Sequence, residues 1–273
     1  MPRAGQRSRT APATRYARVD SPSPPPYDSR MKGGDFKRWA LRGCSIYGED
    51  QWFFLRELAQ NARDAGAHTV RVGATRTEAT ETLTFADDGS GMDARHAEQF
   101  LFRLYASSKE DERGSAGQFG IGFWSVLRFG PESVAIASNP GRAPWAVRID
   151  EQFELHQEIA VDQRRGTTIS LSRPARFATE DEYLAAVGAA LTRFCRYLRR
   201  NDRDATPLPV WFQERNMLQE MSVAGPISLN FRQGAVEGAV GLGKRPSVEL
   251  FARGLPVWKG MLLDELSYRG TEH

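Results

Sequence analysis

The stretch "FFLRELAQNARDAGAHTVRV" (residues 53–72) carries an acid, an amide and a second acid in one row: Glu57, Asn61 and Asp64. At i, i+4 and i+7 they share one helix face. Phe54, Leu58 and Ala62 form a separate apolar row. A polar row of this kind also suits a helix face turned to water. Further along, "FADDGSGMD" sets Asp87, Gly89 and Gly91 as D-x-G-x-G straight after a strand-like run. The glycines permit a tight turn and close approach of a ligand to the backbone, and the carboxylate can accept a hydrogen bond from an exocyclic amine. An ordinary acidic turn has the same composition. "GSAGQFGIGFWSV" places Gly117, Gly120 and Gly122 as G-x-x-G-x-G running into a helix. Backbone N–H groups at such a point suit a polyphosphate, although a flexible glycine loop would read the same way. "RRGTTISL" opens a strand with Gly166-Thr167, which alone signals nothing.

The elements around these residues follow from periodicity. A helix is predicted from Glu49 to Ala65, ended by Gly66. "HTVRVGAT" and "TLTFADD" alternate as strands. "DARHAEQFLFRLY" reads as a helix capped by Asp93, and the glycine-rich "ASSKEDERGSAGQFGIG" reads as a functional lid. "FWSVLRF" continues as a helix. "ESVAIASN", "WAVRID", "FELHQEIAV" and "TTISLS" follow as strands, and "EDEYLAAVGAALTRFCRYLRR" as a long amphipathic helix. Beyond "NDRDATPLP", a hairpin in "PVWFQERNMLQ" and strands in "ISLNF", "GAVGL" and "VELFARGLPVW" are expected. Residues 1–32, rich in proline, serine and arginine, read as a disordered basic arm.

Composition bounds the function. The chain has 273 residues, 40% of them hydrophobic, enough for a sizeable core. A net charge of +3 is too mild to point to nucleic acid. Cys44 and Cys195 show no metal-ligand spacing, and buried thiols of a reduced, cytoplasmic protein are expected. No apolar run reaches the length of a membrane span.

Taken in order, the four segments resemble the GHKL ATPases, named for gyrase B, the ninety-kilodalton heat-shock chaperone, histidine kinases and MutL. "FLRELAQNARDA" resembles the family's N box, "DDGSGMD" its first glycine box, "GQFGIGFWSV" its lid box and "GTTISL" its last threonine motif. The first and third are closest to the chaperone and to MORC-type members. The resemblance implies an α+β fold, a Bergerat-type two-layer α/β sandwich with a mixed sheet. This would occupy residues 33–205 and be followed, over 206–273, by the start of a transducer-like domain. It implies ATP and Mg²⁺ as cofactors and ATP hydrolysis as the activity. By the same resemblance Glu57 is the general base, Asn61 holds Mg²⁺ and Asp64 stands behind them. Asp87 accepts from the adenine amino group beside Gly89, Gly91 and Met92 border the base, and Thr167 supports the Asp87 network. Gly117, Gln118, Phe119, Gly120, Ile121, Gly122 and Phe123 form the lid's wrap around the phosphates.

The implied partners are a second copy, in an ATP-dependent homodimer, and a protein client; neither nucleic acid nor a membrane is indicated. A non-hydrolysing ATP sensor is the alternative. A histidine kinase fits poorly, because none of His68, His96, His156 and His273 lies in a helix preceding the N box. The basic residue that such ATPases take from the second domain has no motif here, and Lys244 and Arg253 are the basic residues in that region. Lys109 and Arg113 of the lid read as solvated charges. "GAVGLGK" (residues 238–244) matches a P-loop only superficially: Arg245 stands where Ser or Thr is needed, and Pro246 precludes the helix.

Overall fold

Helix α1 (Phe54–Asp64) buries the apolar row: Phe54, Leu58 and Ala62 are at most 1% exposed. It starts later than Glu49 because the Asp50 side chain accepts from the Trp52 N–H (2.9 Å), a local bond that competes with helix. It ends as expected at Gly66. There the Gly66 N–H donates to the Arg63 carbonyl and the Ala67 N–H to the Ala62 carbonyl, which satisfies the last exposed carbonyls. This computed structural model describes residues 37–38, 40–42, 50–101, 122–160, 164–200, 206–223, 225–233, 236–242 and 248–260. The arm 1–32, Cys44, Lys109, Arg113, Lys244 and His273 lie outside the described residues.

The main sheet contains β1 (Val70–Arg76), β2 (Thr80–Asp87), β3 (Ser133–Asn139), β4 (Trp145–Ile149), β5 (Leu155–Glu158), β6 (Gly166–Pro174), β7 (Val210–Phe212) and β8 (Arg215–Asn216), ordered β5-β4-β3-β6-β2-β1-β7-β8. All its pairings are antiparallel except β1 with β7, which makes the sheet mixed. Helix α2 (Ala94–His96) follows β2; the Asp93 side chain caps it by accepting from the His96 N–H at 2.7 Å. It widens into a π turn over Ala97–Leu101. "FWSVLRF" is a 3₁₀ helix over Phe123–Phe129 rather than an α-helix. Ser125 fixes the tighter winding, since both its N–H and its hydroxyl donate to the Gly122 carbonyl. Helix α3 (Glu180–Cys195) is capped by Thr179. Its Cys195 is fully buried, and burial pushes the thiol up to about 12, so that it packs as an apolar group.

Register arranges the helix-facing side of the three central strands in rows. Antiparallel partners put their side chains on the same face. Leu83, Leu171 and Val134 form one row, and Phe85, Ile169 and Ile136 the next. These six are at most 7% exposed and belong to the core that α1 and α3 cover. The rows turn polar at both ends. One end is the pair Glu81–Arg173, and the other is Asp87–Thr167–Ser138. On the opposite face Thr82 bonds Ser172 and Thr84 bonds Ser170 across the strands, and the side chains there are half-buried. The result is a two-layer α+β sandwich of Bergerat type with a mixed sheet.

The reading that starts a second unit at residue 206 meets a different pairing here. β7 and β8 extend the main sheet, because Val210 and Phe212 are buried. The Phe212 ring lies against Gly188 of α3, and β1 supplies the parallel partner. The strands that stand apart from the sheet are β9 (Ser228–Gln233) with β10 (Val236–Gly241), and β11 (Val248–Ala252) with β12 (Leu255–Gly260). Residues 238–241 of the P-loop-like segment lie within β10. The turn of β11–β12 reaches the helices: Leu255 is 2% exposed, Tyr197 meets Phe251 edge-on, and the Arg56 side chain donates to the Pro256 carbonyl at 3.1 Å.

Candidate functional site

Helix α1 is the spine on which the motifs gather. Near its start, Glu57 is 6% exposed, and its Oε2 stands where a Cβ on Gly122 would come within 2.5 Å. The end of the lid box is therefore in contact with the row's first acid. At the other end of α1, Ser90 N–H donates to the Ala65 carbonyl at 2.8 Å, and Gly89 packs on Ala65. The N box thus touches the lid box at one end and the glycine box at the other. Asn61 is exposed along the same face. Asp64 is exposed and ion-paired with Arg63 at 2.7 Å. Phe123 is buried edge-on against Trp124. Gly117, Gln118, Phe119, Gly120 and Ile121 lie outside the described residues.

The glycine box and the threonine motif meet through β2 and β6, where Asp87 and Thr167 are direct register partners. Gly166 makes this possible. Its φ is +121°, and a Cβ there would come within 2.0 Å of the Asp87 carbonyl oxygen, so glycine alone allows β6 to close on β2. Gly91, at φ +67°, lies equally tightly on the Asn139 carbonyl at the end of β3. Desolvation pushes the Asp87 carboxyl above its ordinary range. Hydrogen bonds from the Gly89 N–H (2.8 Å) and the Thr167 N–H only partly offset it, and the neighbouring Asp88 charge adds to the rise. Asp88 itself is structural: it accepts from the N–H groups of His68 and Thr69 at 2.6 and 2.8 Å.

Two residues of this end, Ser138 and Trp145, were not legible as site residues from local sequence. Ser138 is fully buried, and its Oγ lies 3.0 Å from Thr167 Oγ1. It also accepts from the Met92 N–H at 2.9 Å, and the Met92 carbonyl in turn accepts from Trp145 Nε1 at 2.8 Å. The available signal was parity: Ser138 alternates with Val134 and Ile136, so a hydroxyl stands in an inward position at a strand end.

Glu57 is not a lone carboxylate. Arg56 Nη1 donates to its Oε1 at 2.5 Å while Arg56 Nε is held by the Pro256 carbonyl. Arg253, one of the two basic residues noted in that region, sits at the β11–β12 turn with φ +56°. Asp150, Glu154 and His156 gather their ligand atoms within 4.8 Å at the far side of the sheet. There the Asp150 side chain holds both the Glu154 N–H and the His156 ring, which closes the β4–β5 turn.

Residues 50–169 match the family model described as histidine kinase-, DNA gyrase B-, and HSP90-like ATPase. The chain is similar to the chaperone protein HtpG of Paramagnetospirillum magneticum, with 29% identity over 158 residues, 46% of this chain and 25% of that protein. It is also similar to HtpG of Bordetella avium, with 28% identity over 169 residues, 51% of this chain and 26% of that one. The match thus spans about a quarter of the relatives' length. Among the described residues, no helix is long and apolar enough to cross a membrane. Over residues 50–169 the chain is therefore similar to the GHKL-type ATPases, on their chaperone-like side.

Proposed function

We propose that this domain binds ATP with Mg²⁺ in the cleft along α1 and hydrolyses it, and that this cycle switches a homodimer acting on a protein client in the cytoplasm. The observation that carries the reading is the polar row Asp87–Thr167–Ser138 at the end of an otherwise apolar sheet face, with Glu57 further along the same helix-lined side. A desolvated carboxylate with no lysine or arginine beside it among the described residues is costly. A ligand amine is the group it suits.

In this reading Asp87 receives the adenine amino group, and Gly91 and Met92 line the base. The lid residues 117–123 enclose the phosphates. Glu57 orients water toward the terminal phosphate and takes its proton. Asn61 would hold Mg²⁺. An exposed amide side chain one turn from a carboxylate fits a hard cation that prefers oxygen and keeps several waters. When bound, that ion neutralises phosphate charge. Asp64, tied to Arg63, acts on the rim rather than at the phosphates. Residues from about 217 onward, beginning with β9–β10, serve as the transducer-like unit. A non-hydrolysing ATP sensor is the second reading, favoured by the Arg56–Glu57 pair, which already occupies the base.

The test is calorimetric titration of ATP and Mg²⁺ into wild type and Asp87→Asn. Asparagine turns a donor toward the base's own donor, and affinity should fall on the order of a hundredfold. Stability should move the other way. Because the Asp87 pKa is raised on folding, its favourable contribution is present at acid pH and is lost as pH rises through the folded value. Asp87→Asn should therefore melt at or above the wild-type temperature at neutral pH, with the difference shrinking in acid. A folded Asp87→Asn protein that binds ATP normally would remove the nucleotide from this cleft.

A further inference from the structure

Ser138 belongs to none of the four motifs, yet its hydroxyl stands at the centre of the polar row. It has three neighbours: Met92 N–H at 2.9 Å, Thr167 Oγ1 at 3.0 Å and the Gly166 carbonyl oxygen at 3.2 Å. A hydroxyl has one proton to give and two lone pairs. The Met92 N–H can only donate, so it takes one lone pair. The Gly166 carbonyl can only accept. Two arrangements remain. In the first, Ser138 donates to Gly166 and Thr167 donates to Ser138, which leaves Thr167 with lone pairs alone to offer. In the second, Ser138 donates to Thr167, and the Thr167 proton is left for a partner outside the network. The shorter of the two contacts is the one to Thr167.

We propose that Ser138 is a positioning residue that determines base specificity: it fixes the Thr167 hydroxyl as a donor beside the Asp87 acceptor. The row then offers an acceptor and a donor side by side. Adenine presents the complement, an N6 amino donor next to the N1 acceptor. Guanine presents the reverse, an O6 acceptor next to an N1–H donor. The Met92 peptide, its N–H on Ser138 and its carbonyl on Trp145 Nε1, holds the Ser138 oxygen in place, and the shorter contact to Thr167 selects the second arrangement. The inference rests on the nucleotide reading above and adds the residue that sets the choice of base.

The experiment measures ATP and GTP affinities calorimetrically on the full chain, with melting temperatures, for wild type, Ser138→Ala, Ser138→Thr, Thr167→Val and the Ser138→Ala/Thr167→Val double variant. Wild type should prefer ATP. Ser138→Ala should lower the ATP-to-GTP preference on the order of tenfold, and Ser138→Thr, which keeps the hydroxyl, should restore it. Thr167→Val should lose the same preference, with the double variant no worse, since both act through one donor. An unchanged preference in Ser138→Ala, or additive losses in the double variant, overturns the role of Ser138 and leaves nucleotide binding standing. If Ser138→Ala fails to fold, a Thr167→Val protein that keeps full ATP preference overturns it instead. A folded wild type that binds neither nucleotide overturns the nucleotide reading itself.

Discussion

Glu57→Gln should lower ATP turnover about 10²- to 10⁴-fold, the usual contribution of a positioned general base, while ATP affinity stays near the wild-type value. Glutamine keeps the volume and the acceptor oxygen at Glu57, so the hydrogen bond from Arg56 can survive. The carboxylate's capacity to take a proton is lost. Binding is expected to persist because the base-recognising row lies at the other end of α1, joined to it through Ala65 and Ser90 rather than through Glu57. A steady-state turnover assay paired with titration separates the two effects. Turnover equal to wild type would exclude Glu57 from the chemistry. A wild type without turnover that nonetheless binds ATP would favour the sensor reading.

Arg173→Met should destabilise the fold by about 3–5 kcal/mol, the usual cost of stranding one partner of a buried ion pair. Arg173 and Glu81 are both fully buried side chains, joined at 2.8 Å. Arg173 also donates to the Phe129 carbonyl and to Gln51, and its guanidinium lies 3.8 Å from the Phe129 ring centroid. It therefore ties the end of the 3₁₀ helix, just after the lid box, to the sheet. Burial alone would push Glu81 up. Hydrogen bonds from the Phe177 and Arg176 N–H groups and from Arg173, with the Arg173 charge, outweigh burial and hold its carboxyl below the usual range. A lowered folded pKa means that this stabilisation is present above the unfolded value and is lost as pH falls through the folded one. The gap between wild type and Arg173→Met should consequently narrow in acid, as the stranded carboxylate takes up a proton. Urea unfolding at neutral and acid pH measures this. The Glu81→Leu/Arg173→Met double variant should recover much of the loss. A single variant within about 1 kcal/mol of wild type would show that the pair is not holding the sheet to the lid base.

Local patterns revealed what is local. The spacing of Phe54, Leu58 and Ala62 marked the buried side of α1, and Gly66 its end. Asp87 and its glycines were visible because D-x-G-x-G is a contiguous signature. Gly166-Thr167 carried no signal alone, because its meaning lies in the register that sets Thr167 opposite Asp87 and Ser138. Short-range patterns do not encode which strands become neighbours. For that reason neither the Glu81–Arg173 pair nor the parallel partnership of β1 with β7 was foreseen. The inward parity of Glu81 with Leu83 and Phe85, and of Ser138 with Val134 and Ile136, was nonetheless present in the sequence. A polar residue on the apolar side of a strand was the overlooked clue.

The late arrival of β7 affects how the polypeptide emerges from the ribosome. Strand β1 is made early, but its parallel neighbour follows only after α3 and the segment beyond it. Until then, nascent β1 presents unpaired N–H and carbonyl groups along one side, a template for stray strand addition. An expression fragment cut at residue 205 would keep that exposed side permanently and leave Gly188 without the Phe212 ring that packs on it. A fragment that keeps β1 paired on both sides therefore extends at least through Asn216.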